Sequence, residues 1–134
     1  MLRIVLDTNV LISAVISGGK PEQLLNLAVQ RQYVLLLSRE VMKEFAGALK
    51  YPKFRMTKRE IANASRALMR TARIIEVTSS RKIVQDDPQD NILVNLALDG
   101  HADYIVTGDR QLLTIATYKG IKIIGVDDML KKLV

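Results

Sequence analysis

Three aspartates occupy positions where a parallel α/β protein would gather its chemistry. Asp7 closes the apolar run Ile4-Val5-Leu6, Asp109 follows the run Tyr104-Ile105-Val106, and Asp90 falls in the first turn of the helix that feeds that second run. In a parallel sheet the strand C-termini and the N-termini of the returning helices share one edge, so the three carboxylates are expected to converge. Glu44 lies beside the apolar stripe Val41, Met42, Phe45 and Leu49 of another helix, within reach of the same edge. Crowded carboxylates repel, and each desolvated charge is costly unless a cation neutralises it. The chain has no cysteine and one histidine, so the available donors are oxygens, which suit a hard divalent ion such as Mg²⁺ or Mn²⁺. Water activated on such an ion can hydrolyse a phosphodiester, with a second ion or a cationic side chain steadying the leaving oxygen. No histidine base is required, and His101, next to Gly100, reads as a surface or helix-end residue.

Plainer roles compete at every position. Asp is a favoured N-cap and first-turn residue, worth about 1 kcal/mol there. Asp87 and Asp90 can cap each other around Pro88, and Asp87 is the best candidate for a purely structural cap. Glu44 can equally be an exposed side chain paired with Lys43 or another base.

The elements that must position these residues alternate. Ile4–Leu6 reads as a strand and Val10–Ile16 as a helix stopped at Ser17-Gly18-Gly19. Pro21 opens a second helix, and Tyr33–Leu37 is a second buried strand. Ser38 caps a helix that ends at Tyr51-Pro52, and Thr57 caps one whose inner stripe is Ile61, Ala64, Ser65, Leu68 and Ala72. Ile74–Val77 reads as a third strand. A helix opens at Asp87-Pro88 and closes near Gly100; Tyr104–Val106 is a fourth strand, Leu112–Tyr118 a short helix, Lys122–Ile124 a fifth strand and Val126–Leu133 a closing helix. Parallel strands need crossovers and crossovers are usually helices, so the expected fold is a three-layer α/β/α arrangement around a mostly parallel sheet of about five strands. Residues 1–134 read as one domain, without repeat or linker.

No stretch approaches the ~20 apolar residues of a membrane span, which points to a cytoplasmic protein. The net charge of +6 is unevenly spread: Lys50–Lys82 carries ten Lys and Arg against two Glu, and Ile83–Val134 carries five against eight Asp. A basic part and an acidic part suit a polyanion and a cation respectively. Arg59, Asn63, Arg66, Arg70 and Arg73 recur at steps of four and three, the spacing of a cationic ridge on one helix. That ridge is either an RNA phosphate contact or an ordinary solvated face. With four Tyr and two Phe, a base-stacking platform is not expected.

The segment Asp7-Thr8-Asn9-Val10-Leu11-Ile12-Ser13-Ala14 resembles the opening motif of PIN domains, specifically of the bacterial group of toxins in toxin–antitoxin pairs. Ser38-Arg39-Glu40-Val41-Met42-Lys43-Glu44 resembles the second motif, Asp87-Pro88-Gln89-Asp90-Asn91 the third, and Tyr104-Ile105-Val106-Thr107-Gly108-Asp109 the fourth. The resemblance covers essentially the whole chain, with the motifs in order. It implies a Mg²⁺- or Mn²⁺-dependent endoribonuclease, usually a homodimer, with Asp7, Glu44, Asp90 and Asp109 as the catalytic, metal-holding acids. Asn9 and Thr107 would support them by hydrogen bonds. It further implies an antitoxin partner, for which Arg59, Arg66, Arg70 and Arg73 offer an alternative contact. Many family members carry another acid just after the fourth motif; here Arg110-Gln111-Leu112 provides none, which argues against tight binding of a second ion. Two other readings carry less weight. A phosphatase of the haloacid-dehalogenase type needs a second Asp two residues after the first, where this chain has Asn9. A catalytically silent PIN-like module that binds RNA or protein would be favoured by loss of an acid, and all four are present.

Overall fold

The computed structural model describes residues 1–85 and 87–134. Its elements run β1 (Arg3–Leu6), α1 (Thr8–Ile16), α2 (Gly19–Val29), β2 (Val34–Leu37), α3 (Arg39–Leu49), a 3₁₀ turn (Pro52–Phe54), α4 (Lys58–Thr71), β3 (Arg73–Ile74), α5 (Pro88–Asp99), β4 (Tyr104–Val106), α6 (Arg110–Ile115), β5 (Thr117–Tyr118), β6 (Ile121–Ile124) and α7 (Val126–Leu133). The strands form one sheet in the order β3-β2-β1-β4-β6-β5, parallel throughout except where β5 meets β6.

The sequence explains the centre of that sheet. Ile4, Val5 and Leu6 of β1, Leu35, Leu36 and Leu37 of β2, and Ile105 and Val106 of β4 are all buried. Successive strand residues point to opposite faces, so an unbroken buried run means that both faces are covered. Helix α5 is buried on most sides, with Leu93, Val94, Leu96 and Ala97 in the core. Burial of a Leu-sized side chain stabilises by about 1.5–3 kcal/mol, so these aliphatic runs supply the main driving force in a chain without tryptophan.

Helix starts follow their caps. Ser38 Oγ accepts from the Val41 N–H at 3.2 Å, and Thr57 with Glu60 forms a reciprocal capping box. Helix α2 begins at Gly19, two residues before Pro21, because the first turn tolerates a residue without an N–H.

Three expectations shift. The third strand is only Arg73–Ile74, since the chain beyond it turns to side chains for its hydrogen bonds. Asp99 accepts from the Thr78 and Ser79 N–H groups, Asn95 from Arg81, and Asn91 from Ile83 and Val84. The helix expected over Leu112–Tyr118 is Arg110–Ile115, broken where Ala116 takes φ 63°. Beyond it a sixth strand, β5, joins β6 through Lys119 (φ 48°) and Gly120 (φ 83°). Positive φ at both central residues matches the tight hairpin turn that follows strand twist, although Lys-Gly is a weaker signal for it than Asn-Gly. The ridge of basic residues is likewise shorter on the helix: Arg59, Asn63, Arg66 and Arg70 are exposed on α4, whereas Arg73 belongs to β3 because the helix ends at Thr71.

Candidate metal centre

The site is assembled at the C-terminal edge of the three central strands. Residues 4–6 of β1 pair with 104–106 of β4, and the Asp7 N–H donates to the Val106 carbonyl at 2.9 Å, so the chain ends of β1 and β4 leave the sheet side by side. Asp7 then caps α1, its Oδ1 accepting from the Asn9 N–H at 3.1 Å. Asp109 caps α6 by accepting from the Gln111 N–H at 2.9 Å, and Asp87 caps α5 by accepting from the Asp90 N–H at 3.0 Å. The capping role is therefore real for all three, and it is compatible with convergence. Each bond to a helix amide engages one carboxylate oxygen and aims the group along the sheet edge.

One cleft of about 550 Å³ is lined by Asp7, Glu44, Asp87, Asp90 and Asp109. Asp87, Asp90 and Asp109 each offer an oxygen within 4.8 Å of the others. Thr107, fully buried, ties two members of the set together: its hydroxyl donates to Asp7 Oδ2 at 2.6 Å and accepts from the Asp109 N–H at 2.9 Å. Asn9 meets Asp7 through its backbone, and its exposed side chain lines the cleft. Asp87 is the residue that sequence reasoning assigned too narrowly, as a cap alone. Two Asp residues three apart at a helix start were the available signal, and the cap explained them without a cluster.

Electrostatics sets Asp90 and Glu44 apart. Asp90 is 4% exposed, and its Oδ2 has no hydrogen-bond partner. Burial, then contact with the Asp109 carboxyl and the charges of Asp109, Asp87 and Asp7, pushes its pKa up to about 8. Glu44 Oε1 is likewise buried without a partner; burial and the charges of Asp7 and Asp87 raise its pKa, while the Thr8 hydroxyl opposes the rise. Among the described residues neither Lys nor Arg lines the cleft. Two orphaned carboxylate oxygens in an all-oxygen donor set, with no cationic side chain to balance them, fit a hard divalent cation. The residues present thus fit Mg²⁺ or Mn²⁺ by donor chemistry.

Relatives place the chain. The family model described as PIN domain matches residues 3–111, which contain every acid of the cleft. The chain belongs to the PIN domain family. An uncharacterised protein of Methanocaldococcus jannaschii is 30% identical over 118 residues, spanning 85% of this chain and 75% of that protein. Among solved structures, a chain of VapBC2 from Rickettsia felis, crystallised with a DNA fragment from its promoter, superposes with a TM-score of 0.67 at 14% identity. The overlap covers 92% of this chain and 98% of that one. A protein of Pyrobaculum aerophilum gives a TM-score of 0.67 at 17% identity, over 98% of this chain and 89% of that one. At these identities the two likenesses show that this PIN domain shares its fold with those structures. Family membership supports a nuclease, in general terms a hydrolase. None of the described helices is long and apolar enough to cross a membrane.

Proposed function

We propose that this PIN domain, taking residues 1–134 as one unit, is a Mg²⁺- or Mn²⁺-dependent endoribonuclease that hydrolyses RNA phosphodiester bonds. The observation that carries the reading is Asp90: a buried carboxyl with an unpartnered oxygen, packed among other carboxyls, is unfavourable in isolation and becomes favourable around a cation. Asp7, Glu44, Asp90 and Asp109 are the acids assigned to hold the ion, with Asp87 beside them. When bound, the ion supplies an activated water and a positive field at the phosphoryl oxygens.

The chain's own residues contribute in separate ways. Thr107 and the Asn9 amide fix the Asp7 carboxylate, so that it is oriented before substrate arrives. The amides of Gln111 and Asp90 do the same for Asp109 and Asp87. Burial first, and then the neighbouring carboxyls, hold Asp90 neutral near pH 7, so it would have to give up its proton to ligate an ion, and loading would depend on pH.

The biological role that fits this fold is the toxin of a toxin–antitoxin pair, acting in the cytoplasm as a homodimer. Its support is the VapBC2 likeness, and it adds an antitoxin protein to RNA as a partner. Arg59, Arg66 and Arg70 on α4 and Arg73 on β3 are exposed and outside the acidic cleft, which suits long-range attraction of RNA or contact with an acidic antitoxin.

The test is cleavage of a mixed RNA pool with Mn²⁺, with Mg²⁺ and with EDTA, by wild type, Asp7→Asn and Asp90→Asn. Metal-dependent cutting by wild type alone is expected. Equal cutting by all three proteins would sink the assignment.

A further inference from the structure

RNA approaching the acidic cleft meets repulsion, since five carboxylates and no cationic side chain line it among the described residues. Phosphates flanking the one to be cut need a cationic seat close by, and the α4 arginines do not line this cleft. The adjoining cavity, about 480 Å³, supplies one. It shares Asp87 with the acidic cleft, so the two hollows adjoin at that residue, and Arg81 and Lys82 line it together with the apolar Val77 and Ile92. Both cations are exposed, and the ion pair found among the described residues, Lys20 with Asp127, involves neither.

The backbone beneath these cations is clamped. Buried Asn95 accepts from the Arg81 N–H and donates to the Arg81 carbonyl, both at 2.9 Å. One turn earlier, Asn91 accepts from the Ile83 and Val84 N–H groups at 2.9 and 2.8 Å and donates to the Val84 carbonyl at 2.9 Å. Asp99, one turn later, holds Thr78 and Ser79. Residues 91, 95 and 99 stand at intervals of four on α5, the helix whose first turn carries Asp90 and whose cap is Asp87. A single helix therefore positions Asp87 and Asp90 of the acidic set together with the backbone of the two cations, which preorganises their separation.

We propose that Arg81 and Lys82 form the subsite that holds an RNA phosphate next to the acidic cleft, with Asn95 as its positioning residue. The proposal rests on the ribonuclease reading for its ligand. Glu40 and Asp87 also line the cavity, so the strand runs along the Arg81–Lys82 side. Contacts of this kind are charge-based, carry no base specificity and weaken with salt.

The experiment is fluorescence anisotropy with a labelled single-stranded RNA in Ca²⁺ buffer, repeated across a KCl series, with thermal melts to verify folding. R81A/K82A is expected to weaken binding at least ~10-fold at low salt and to flatten the slope of log K against log salt by about 1.4, the value for two lost contacts on a single strand. K131A/K132A, at two exposed lysines in the last turn of α7 that line neither hollow, serves as the equal-charge control and should leave binding closer to wild type. N95A keeps both charges, so it should lower affinity several-fold with the slope unchanged. Wild-type affinity and slope in R81A/K82A would overturn the proposal, as would absence of RNA binding by wild type or equal losses in the two double variants. Cleavage of the same RNA in Mn²⁺ separates the two readings. Binding through Arg81 and Lys82 without cutting keeps the subsite and removes the ribonuclease; cutting by R81A/K82A with unchanged KM does the reverse.

Discussion

Replacing Asp90 by Asn tests the electrostatic account of the site through stability, independently of any substrate. The Asp90 pKa stands at about 8 in the folded protein against an ordinary value of 3.8. A carboxyl raised in this way favours the fold below its unfolded pKa, and that contribution is lost as pH climbs through the folded pKa. Each unit of pKa difference corresponds to about 1.4 kcal/mol, so the metal-free wild type carries a handicap approaching ~4 kcal/mol at pH 7 and less than ~2 kcal/mol at pH 5. Water in the open cleft screens part of this, which leaves a handicap of about 2 kcal/mol at neutral pH. Asn has no charge to desolvate and can donate to Asp109. Asp90→Asn should therefore melt higher than wild type in EDTA at pH 7.5, by roughly 4–8 °C for a chain of this size, with the gap closing toward pH 5. Saturating Mn²⁺ should invert the order, because ligand at ~100 times its Kd adds about 2.7 kcal/mol to the wild type and little to the variant. Differential scanning fluorimetry at several pH values, with EDTA or Mn²⁺, reads all of this. A variant less stable than wild type by the same margin at every pH, or two proteins equally stabilised by Mn²⁺, would refute the reasoning.

Thr107→Val removes the hydroxyl that donates to Asp7 and accepts from the Asp109 amide, leaving buried groups unpaired. A loss of about 1–3 kcal/mol in urea unfolding is expected, together with a cleavage rate at least ~10-fold lower. Unchanged cleavage would mean that Asp7 is oriented without it. Asn95→Ala should raise hydrogen exchange at the Arg81 amide and neighbouring loop amides while β1 and β4 stay protected; uniform deprotection of the whole chain would show that the clamp and the core unfold together. His101 occupies the left-handed region at φ 54°, just past α5, so His101→Gly should raise the melting temperature by an amount worth roughly 0.5–1 kcal/mol. A lower melting temperature would mean that the imidazole contributes packing that outweighs the strain.

What the sequence by itself determined is mostly local. Ile4–Leu6, Leu35–Leu37 and Tyr104–Val106 are short apolar runs that only a sheet covered on both faces accommodates, and Ser38, Thr57 and Asp87 start their helices where their side chains can cap an amide. The acidic edge was legible for the same reason: a parallel sheet sends Asp7 and Asp109 to one side once β1 and β4 are recognised as strands. Tertiary structure alone decided the rest. That β4 pairs beside β1 is a matter of sheet order, and the Thr107 bridge to Asp7 crosses one hundred residues. Periodicity could not reveal that Asp87 joins the cluster while it caps α5, since a cap consumes one oxygen and leaves the other to geometry. Nor could it reveal that residues 78–84 abandon the sheet for Asn91, Asn95 and Asp99, because side-chain amides at intervals of four look like an ordinary polar helix stripe until the chain they hold is laid against them.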